Sequence, residues 1–402
     1  MLNDKKELRA GRAVWRSYPM PRIAHAPLRR DANCDVAVIG AGISGAMVAS
    51  ELTEAGFSVI LLDRRGPLKG STSATTALLQ YEIDTPITQL KRKIGEADAM
   101  RAWRRSKLGL ESLAACVAEL EIPCGLKRCR SLYLAGDVLD IGGLKKEMQM
   151  RRRAGLHTRY LSGVALQDEG INGGGALESF GSFSANPMHL AAGFLRHALV
   201  KGARLYAPMT VKDVEPHPRF VSLLTKQGPE VKARTVIFAT GYEIPDHIRP
   251  DCHQVHSTWA IATRPQPASL PHPMPLIWEA SDPYLYARAT SDGRVICGGA
   301  DEPFTDEDKR DALLPEKKAL LERKLKRLLP GIDSKAEFAW TGAFGTSTTG
   351  LPTIGPVPGM LHCYAILAFG GNGITYSRIA AEMVRGYLTG RQDPDADLFA
   401  FT

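Results

Sequence analysis

The sequence predicts an α/β fold in which a parallel sheet is interrupted by long insertions. Three stretches carry that expectation. A strand, glycine turn, helix and second strand run from Asp35 to Asp63. An apolar run enters a small-residue turn at Thr235–Gly241, and a strand-like run, glycine cluster and helix occupy His362–Gly390. At 402 residues, with 44% hydrophobic and 23% charged, the chain is long enough for two domains and a large core.

The first stretch is the most informative. DVAVI, residues 35–39, is a short apolar run suited to a buried parallel strand. Gly40-Ala41-Gly42-Ile43-Ser44-Gly45 follows, then a helix with Val48, Leu52 and Ala55 on one face, closed by Gly56. FSVILL, residues 57–62, supplies the second strand, ending at Asp63. In a dinucleotide-binding βαβ unit, Gly40 serves the tight turn, Gly42 the approach of the diphosphate and Gly45 the packing of helix on strand. The helix start at Ile43 and Ser44 offers N–H groups and a positive dipole end. Asp63, eighteen residues past Gly45, is placed to accept from ribose hydroxyls, with Arg64 beside it. This unit alone leaves NAD and FAD both open.

Later stretches narrow the choice. STSATTA (Ser71, Thr72, Ser73, Ala74, Thr75, Thr76, Ala77) is a small, hydroxyl-rich loop that lets the backbone pass close to a flat ligand. A helix at Met188–Val200 and a strand-like segment at Ala203–Val211 precede TVIFATG, so the first sheet is expected to resume there, with Ala239, Thr240 and Gly241 forming its turn. Val211, expected at its strand's end, is a candidate for meeting an adenine edge. Near the C-terminus, HCYAILAF leads into Gly370, Gly371, Asn372, Gly373 and Ile374, then a helix with Ile379, Met383 and Val384 on one face. A helix start aimed at the pyrimidine end of an isoalloxazine would stabilise the charge that develops there on reduction.

Taken in order, DVAVIGAGISG, VILLDRR, GSTSATTALLQYEIDTP, TVIFATGY, YLYARATSDGRVICGGADEP and TGAFGTSTTGLPTIGPVPG…LAFGGNGITYS resemble the D-amino-acid oxidase and sarcosine oxidase type of FAD-dependent oxidoreductases (the DAO family), in the branch of gamma-glutamylputrescine-oxidase-like and glycine-oxidase-like proteins. The resemblance spans residues 35 to about 390. It implies a discontinuous Rossmann-like FAD-binding domain (34–85, 186–245 and 341–395) and an α+β substrate domain (86–185 and 246–340) whose mixed sheet lies over the flavin. Residues 1–33 are left as an N-terminal extension. It further implies that the glycine turn meets the pyrophosphate, that Ser71–Ala77 runs under phosphate and flavin, that Gly342 lies in a flavin-side stretch, and that Gly371–Ile374 borders the pyrimidine ring.

WAIAT, YLYARA and RVICG fit successive antiparallel strands of the second domain. Tyr284, Tyr286 and Arg288 are two apart and share one sheet face. Arg288 is therefore the expected partner of a substrate carboxylate, beside aromatic walls. Gln80, Tyr81, Trp340 and Phe344 are secondary candidates. The expected chemistry is hydride transfer from an amine-bearing carbon to flavin N5, giving an imine that water hydrolyses. GAFGTST (342–348) has no cysteine, so non-covalent FAD is expected, and Val295-Ile296-Cys297 has no lysine, which leaves oxygen and an electron carrier both open as acceptor.

Composition sets the remaining expectations. The net charge of +8 is concentrated at Lys91–Lys93, Arg101–Lys107, Lys145–Arg153 and Lys324–Arg327, read as solvated helix faces. No nucleic-acid partner is expected, although a flavin enzyme acting on a modified tRNA base is one alternative, and a structural or sensing role for FAD is another. Seven cysteines, none in a CxxC pair, argue against disulfides and zinc, and the loose Asp251, His253, His256 grouping leads to no metal site. With no apolar membrane span and no signal-like N-terminus, the expected location is the cytoplasm.

Overall fold

The computed structural model describes residues 7–251, 253–367 and 370–401. Two large sheets organise them. The first has eight strands, and its path runs Thr353–Pro356, Cys363–Leu367, Glu230–Phe238, Ala32–Ile39, Val59–Leu62, Arg204–Tyr206. All neighbours along it are parallel except the Thr353–Pro356 edge. Its central strands are apolar runs rather than alternations, because both faces are covered: Val59–Leu62 and Cys363–Leu367 are buried throughout.

One face carries the helices Ile43–Glu54, Pro187–Val200 and Gly373–Leu388, with Ile43–Glu54 packed between the other two. Asn186 caps the second of these, accepting from the N–H groups of Met188 and His189, and Pro187 occupies the first turn, where no intrahelical donor is needed. The hairpin Val211–Pro216 and Val221–Thr225 extends the sheet by pairing with Glu230–Phe238. Val211 therefore opens a strand rather than closing the Arg204–Tyr206 one.

The second sheet has nine strands. Its path runs Ala336–Ser347, His253–Thr263, Val295–Glu302, Leu285–Ala289, Leu276–Glu279, Lys127–Leu134, Gly175–Ser184, Leu78–Leu79. Only Leu276–Glu279 and Lys127–Leu134 pair in parallel, so the sheet is mixed. Ala336–Ser347 pairs with His253–Thr263 along its whole length. Residues 341–347, expected in the first domain, thus belong to the second sheet, because a long antiparallel ladder holds them there. Leu78 and Leu79, also expected in the first domain, pair with Ser184 and Phe183.

The segment before Ala32 is part of both layers. Gly11 bridges Trp340 on the second sheet and Ala26 bridges Tyr206 on the first. Val14 and Trp15 are buried in the core cluster that fills the helical layer and reaches both sheets. No helix among the described residues is long and apolar enough to cross a membrane.

Candidate functional site

A cavity lies between the sheets. It is lined at one end by Met209, Thr210 and Val211, passes the Gly40–Ser44 turn, and reaches Trp278, Tyr284 and Tyr286 on the second sheet. The turn is built by close approach. Gly40 has φ +114, and a side chain there would meet the Ala239 carbonyl at 2.3 Å. A Cβ on Gly45 would stand 1.9 Å from the Gly40 carbonyl oxygen, so helix and turn pack at a distance only glycine permits. The Ile43 N–H donates to Thr72 Oγ1 at 3.0 Å, tying the helix start to the hydroxyl-rich loop. Asp63 accepts from the N–H groups of Ala41, Arg65 and Gly66 at 2.8–2.9 Å. A carboxylate with about four acceptor positions keeps capacity for one more donor. Arg64 and Arg65 line this end, and both pair with Glu243.

Three donors from distant parts of the chain grip consecutive carbonyls of the same loop. Trp340 Nε1 donates to Ala74 at 2.7 Å, Trp15 Nε1 to Thr75 at 2.7 Å and Arg288 Nε to Thr76 at 2.6 Å. With its carbonyls held this way, the loop has Ser71, Thr72, Thr75 and Thr76 lining the cavity. The hydroxyls of Ser71 and of Thr240 opposite are buried without a partner. Buried hydroxyls left this way are what a polar ligand satisfies.

The C-terminal turn is zipped to residues 80–84. Thr375 Oγ1 donates to the Gln80 carbonyl, Asn372 Nδ2 to the Glu82 carbonyl, and the Gly371 N–H to Asp84 Oδ2 at 2.7 Å. Ser44 and Ser377 are joined through their hydroxyls at 2.8 Å, which brings the starts of the two helices together. Gly42 and Gly371 accordingly line one cavity, although 329 positions separate them. The space beside Asp84 depends on Gly371, since a Cβ there would stand 2.5 Å from Asp84 Oδ1.

Of the expected cofactor-side residues, Gly40, Gly42, Ile43, Ser44, Asp63, Arg64, Ser71, Thr72, Thr75, Thr76, Val211, Ala239, Thr240, Gly241, Gly342, Gly370, Gly371, Gly373 and Ile374 line the cavity. Gly45, Ser73, Ala77 and Asn372 support it from outside the wall.

On the substrate side, Gln80, Tyr284, Tyr286 and Phe344 line the cavity, and Tyr81 and Trp340 do not. Arg288 does not line it either, which corrects the expectation that it meets a substrate carboxylate there. Alternation does put Arg288 on the face of Tyr284 and Tyr286, but the hydroxyl-rich loop covers that face one step further along. The guanidinium donates to the carbonyls of Thr76, Ala185 and Ala289, sits 5.2 Å from the Trp15 ring centre, and is 2% exposed. Burial lowers its pKa to about 10, so it remains charged near neutrality.

Several wall residues escaped the sequence reading. Asp84, Tyr242, Thr258 and Trp278 line the same end. Their signals are the glycines opposite them. A Cβ on Gly298 would fall 2.3 Å from Tyr286 Oη, and one on Gly345 would meet Tyr242 and His253 at 2.7–3.0 Å. The glycines of ICGGAD and AFGT therefore make room for rings. Asp301 lies behind Thr258, hydrogen-bonded to it, and burial lifts its pKa to about 6. His253 is buried with both ring nitrogens unpartnered, and burial lowers it to about 4, so it is neutral. No cluster of three or more His, Cys, Asp or Glu suited to a metal occurs among the described residues.

The sequence profile of a family described as FAD dependent oxidoreductase matches residues 35–386. The gamma-glutamylputrescine oxidoreductase of Escherichia coli (strain K12) is 24% identical over 383 residues, covering 92% of this chain and 86% of that protein. Among solved structures, glycine oxidase from Geobacillus kaustophilus superposes with a TM-score of 0.76 at 20% identity, covering 92% of this chain and 99% of its own. L-proline dehydrogenase from P. horikoshii does so with a TM-score of 0.77 at 18% identity, covering 93% and 97%.

Proposed function

Because the chain belongs to the FAD-dependent oxidoreductase family, we propose that it oxidises the C–N bond of a small amine or amino acid. FAD, when bound, supplies the two-electron acceptor, taking hydride at N5. The observation that carries this reading is the cavity joining a dinucleotide-type glycine turn to an aromatic chamber on the second sheet. The names of the relatives agree with it, since gamma-glutamylputrescine, glycine and L-proline all contain a C–N bond next to carbon-bound hydrogen.

In this reading, Gly40, Gly42, Ile43 and Ser44 hold the diphosphate, whose charge is met by backbone N–H groups at a helix start. Asp63 takes a ribose hydroxyl, and Arg64 lies beside it. Val211 borders the adenine. Ser71, Thr72, Thr75 and Thr76 run beneath phosphate and ring, with Thr240 opposite, and Gly342, Gly370, Gly371, Gly373 and Ile374 enclose the flavin end. Gln80, Tyr284, Tyr286, Trp278 and Phe344 position the substrate carbon and keep water away from it. The Tyr286 hydroxyl lies near Thr76 of the hydroxyl-rich loop and Thr258 of the chamber wall.

Anaerobic mixing of the purified holoenzyme with a panel of amino acids, N-methyl amino acids and amines tests the proposal. Loss of flavin absorbance with at least one member is the expected result. A flavin-loaded protein that no member of the panel bleaches would remove C–N oxidation as the activity.

A further inference from the structure

The chamber around Trp278 and the tyrosines has an electrostatic character of one sign. Among the described residues, the cations lining the cavity are Arg64 and Arg65, which sit beside Asp63 at the far end and pair with Glu243. At the chamber end the acidic wall residue is Asp84, whose pKa desolvation raises above the usual carboxylate value; its Oδ2 takes the Gly371 N–H and its Oδ1 accepts no hydrogen bond among the described residues. Asp301 reinforces it from behind Thr258, and its Oδ1 is buried without a partner. Lys317, the cation that Asp301 feels, is paired with Glu302 and donates to the Ala300 carbonyl. His253, next to Tyr242, contributes no positive charge. Gln80 Oε1 is a further buried acceptor without a donor.

The rings complete this setting. Tyr284 and Tyr286 lie with centres 5.6 Å apart at 39°, and Trp278 stacks on Tyr133 at 3.8 Å, which fixes its plane. Aromatic faces attract cations, most strongly where water is excluded. Desolvation raises the pKa of both carboxyls, and among the described residues neither has an ion-pair partner, so a ligand bearing positive charge offsets the cost of ionising them. A ligand carboxylate would instead add a third negative group to the same low-dielectric space. Arg288, the group that sequence alone nominated to receive such a carboxylate, is enclosed behind the loop and hydrogen-bonded to three carbonyls.

Resting on the C–N oxidation proposed above, we infer that the chamber selects a cationic amine with no carboxylate on the reacting carbon, its ammonium held by Asp84 within the ring of Trp278, Tyr284 and Tyr286. α-Amino acids are excluded as good substrates. Asp301 acts at longer range by deepening the negative field.

Equilibrium binding to the oxidised holoenzyme, followed by perturbation of the flavin spectrum and by calorimetry, separates this inference from turnover. Matched pairs differing only in the carboxylate are the probes: butylamine and norvaline, putrescine and ornithine, benzylamine and phenylglycine. At least one amine is expected to bind about tenfold or more tightly than its carboxylated partner. Asp84→Asn, which keeps the acceptor for Gly371, is expected to erase that preference, and Asp301→Asn to reduce it about threefold. Equal or tighter binding of the amino acids, absence of binding by every amine, or a preference unchanged in Asp84→Asn overturns the inference. Bleaching by amino acids alone would overturn it as well, while leaving C–N oxidation intact.

Discussion

At the dinucleotide end of the cavity, most polar groups belong to local backbone: the Gly40–Ser44 turn, the helix start behind it and the Asp63 corner, all within one βαβ unit. At the chamber end they are side chains brought from Gln80, Asp84, Tyr242, Thr258, Trp278 and Tyr286, on segments far apart in the chain. The first end works by where the main chain can approach, the second by which side chains converge. Substitutions at the first should therefore act on folding and cofactor retention together. Those at the second should divide residues that hold the wall from residues that meet the ligand.

Gly45 offers the sharpest test of the first end. A methyl group there would overlap the Gly40 carbonyl at 1.9 Å, and backbone cannot swing aside as a side chain would. Gly45→Ala is expected to cost about 3 kcal/mol in a denaturant melt and to yield protein with little bound flavin. Gly42→Ala should behave differently, because its methyl would meet only Thr72 Oγ1, at 3.1 Å. It should stay within about 1 kcal/mol of the parent while losing FAD affinity. Equal losses of stability in the two variants would show that close approach at the turn is not what sets this end apart.

Arg288 tests the second end. Its removal leaves the carbonyls of Thr76 and Ala185 buried without their donor and opens space beside Trp15. Arg288→Ala is expected to lower stability by about 2–3 kcal/mol and to weaken flavin retention, as loss of a hydrogen-bonded buried group does. A ligand anchor would give the opposite pattern, with stability intact and substrate affinity lost. Melting curves and ligand titration on one preparation decide between them.

That residue also shows how far a sequence can be read. The βαβ unit was legible because glycine spacing, helix start and acidic terminus are local, and each has a steric reason. The second glycine cluster was legible for the same reason, and both line one cavity. Strand alternation put Tyr284, Tyr286 and Arg288 on one face but could not say where the Ser71–Ala77 loop would cover it, because that contact spans 212 positions. Separations of 60 and 266 positions likewise hid Trp15 and Trp340 as clamps on that loop. Domain limits slipped at 341–347, since a strand running into the cavity reads alike whichever sheet it joins. Asp84 and Asp301 carried no local pattern, and their importance emerges only from the lack, among the described residues, of a cation paired with either.

Asp301 yields the smallest effect, and it links the protein's stability to the charge of its ligand. Burial raises its pKa from 3.8 to about 6, so the folded protein binds this proton more tightly than the unfolded chain. The group's contribution to stability is thus fully present below pH 3.8 and is lost as pH rises through about 6. At about pH 8 the penalty is at most about 3 kcal/mol, given roughly 1.4 kcal/mol per pKa unit. Asp301→Asn keeps an acceptor for Thr258 and removes the charge. It is expected to be about 1–2 kcal/mol more stable than the parent at about pH 8, with the difference fading below about pH 4. Urea melts across that range measure it. If Asp301 deepens the field for a cationic ligand, the stabilised variant should also bind amines less well, so that added amine narrows the stability gap between the two proteins. A gap that amine leaves unchanged would make Asp301 a strained residue behind the wall and return the selection of charge to Asp84 alone.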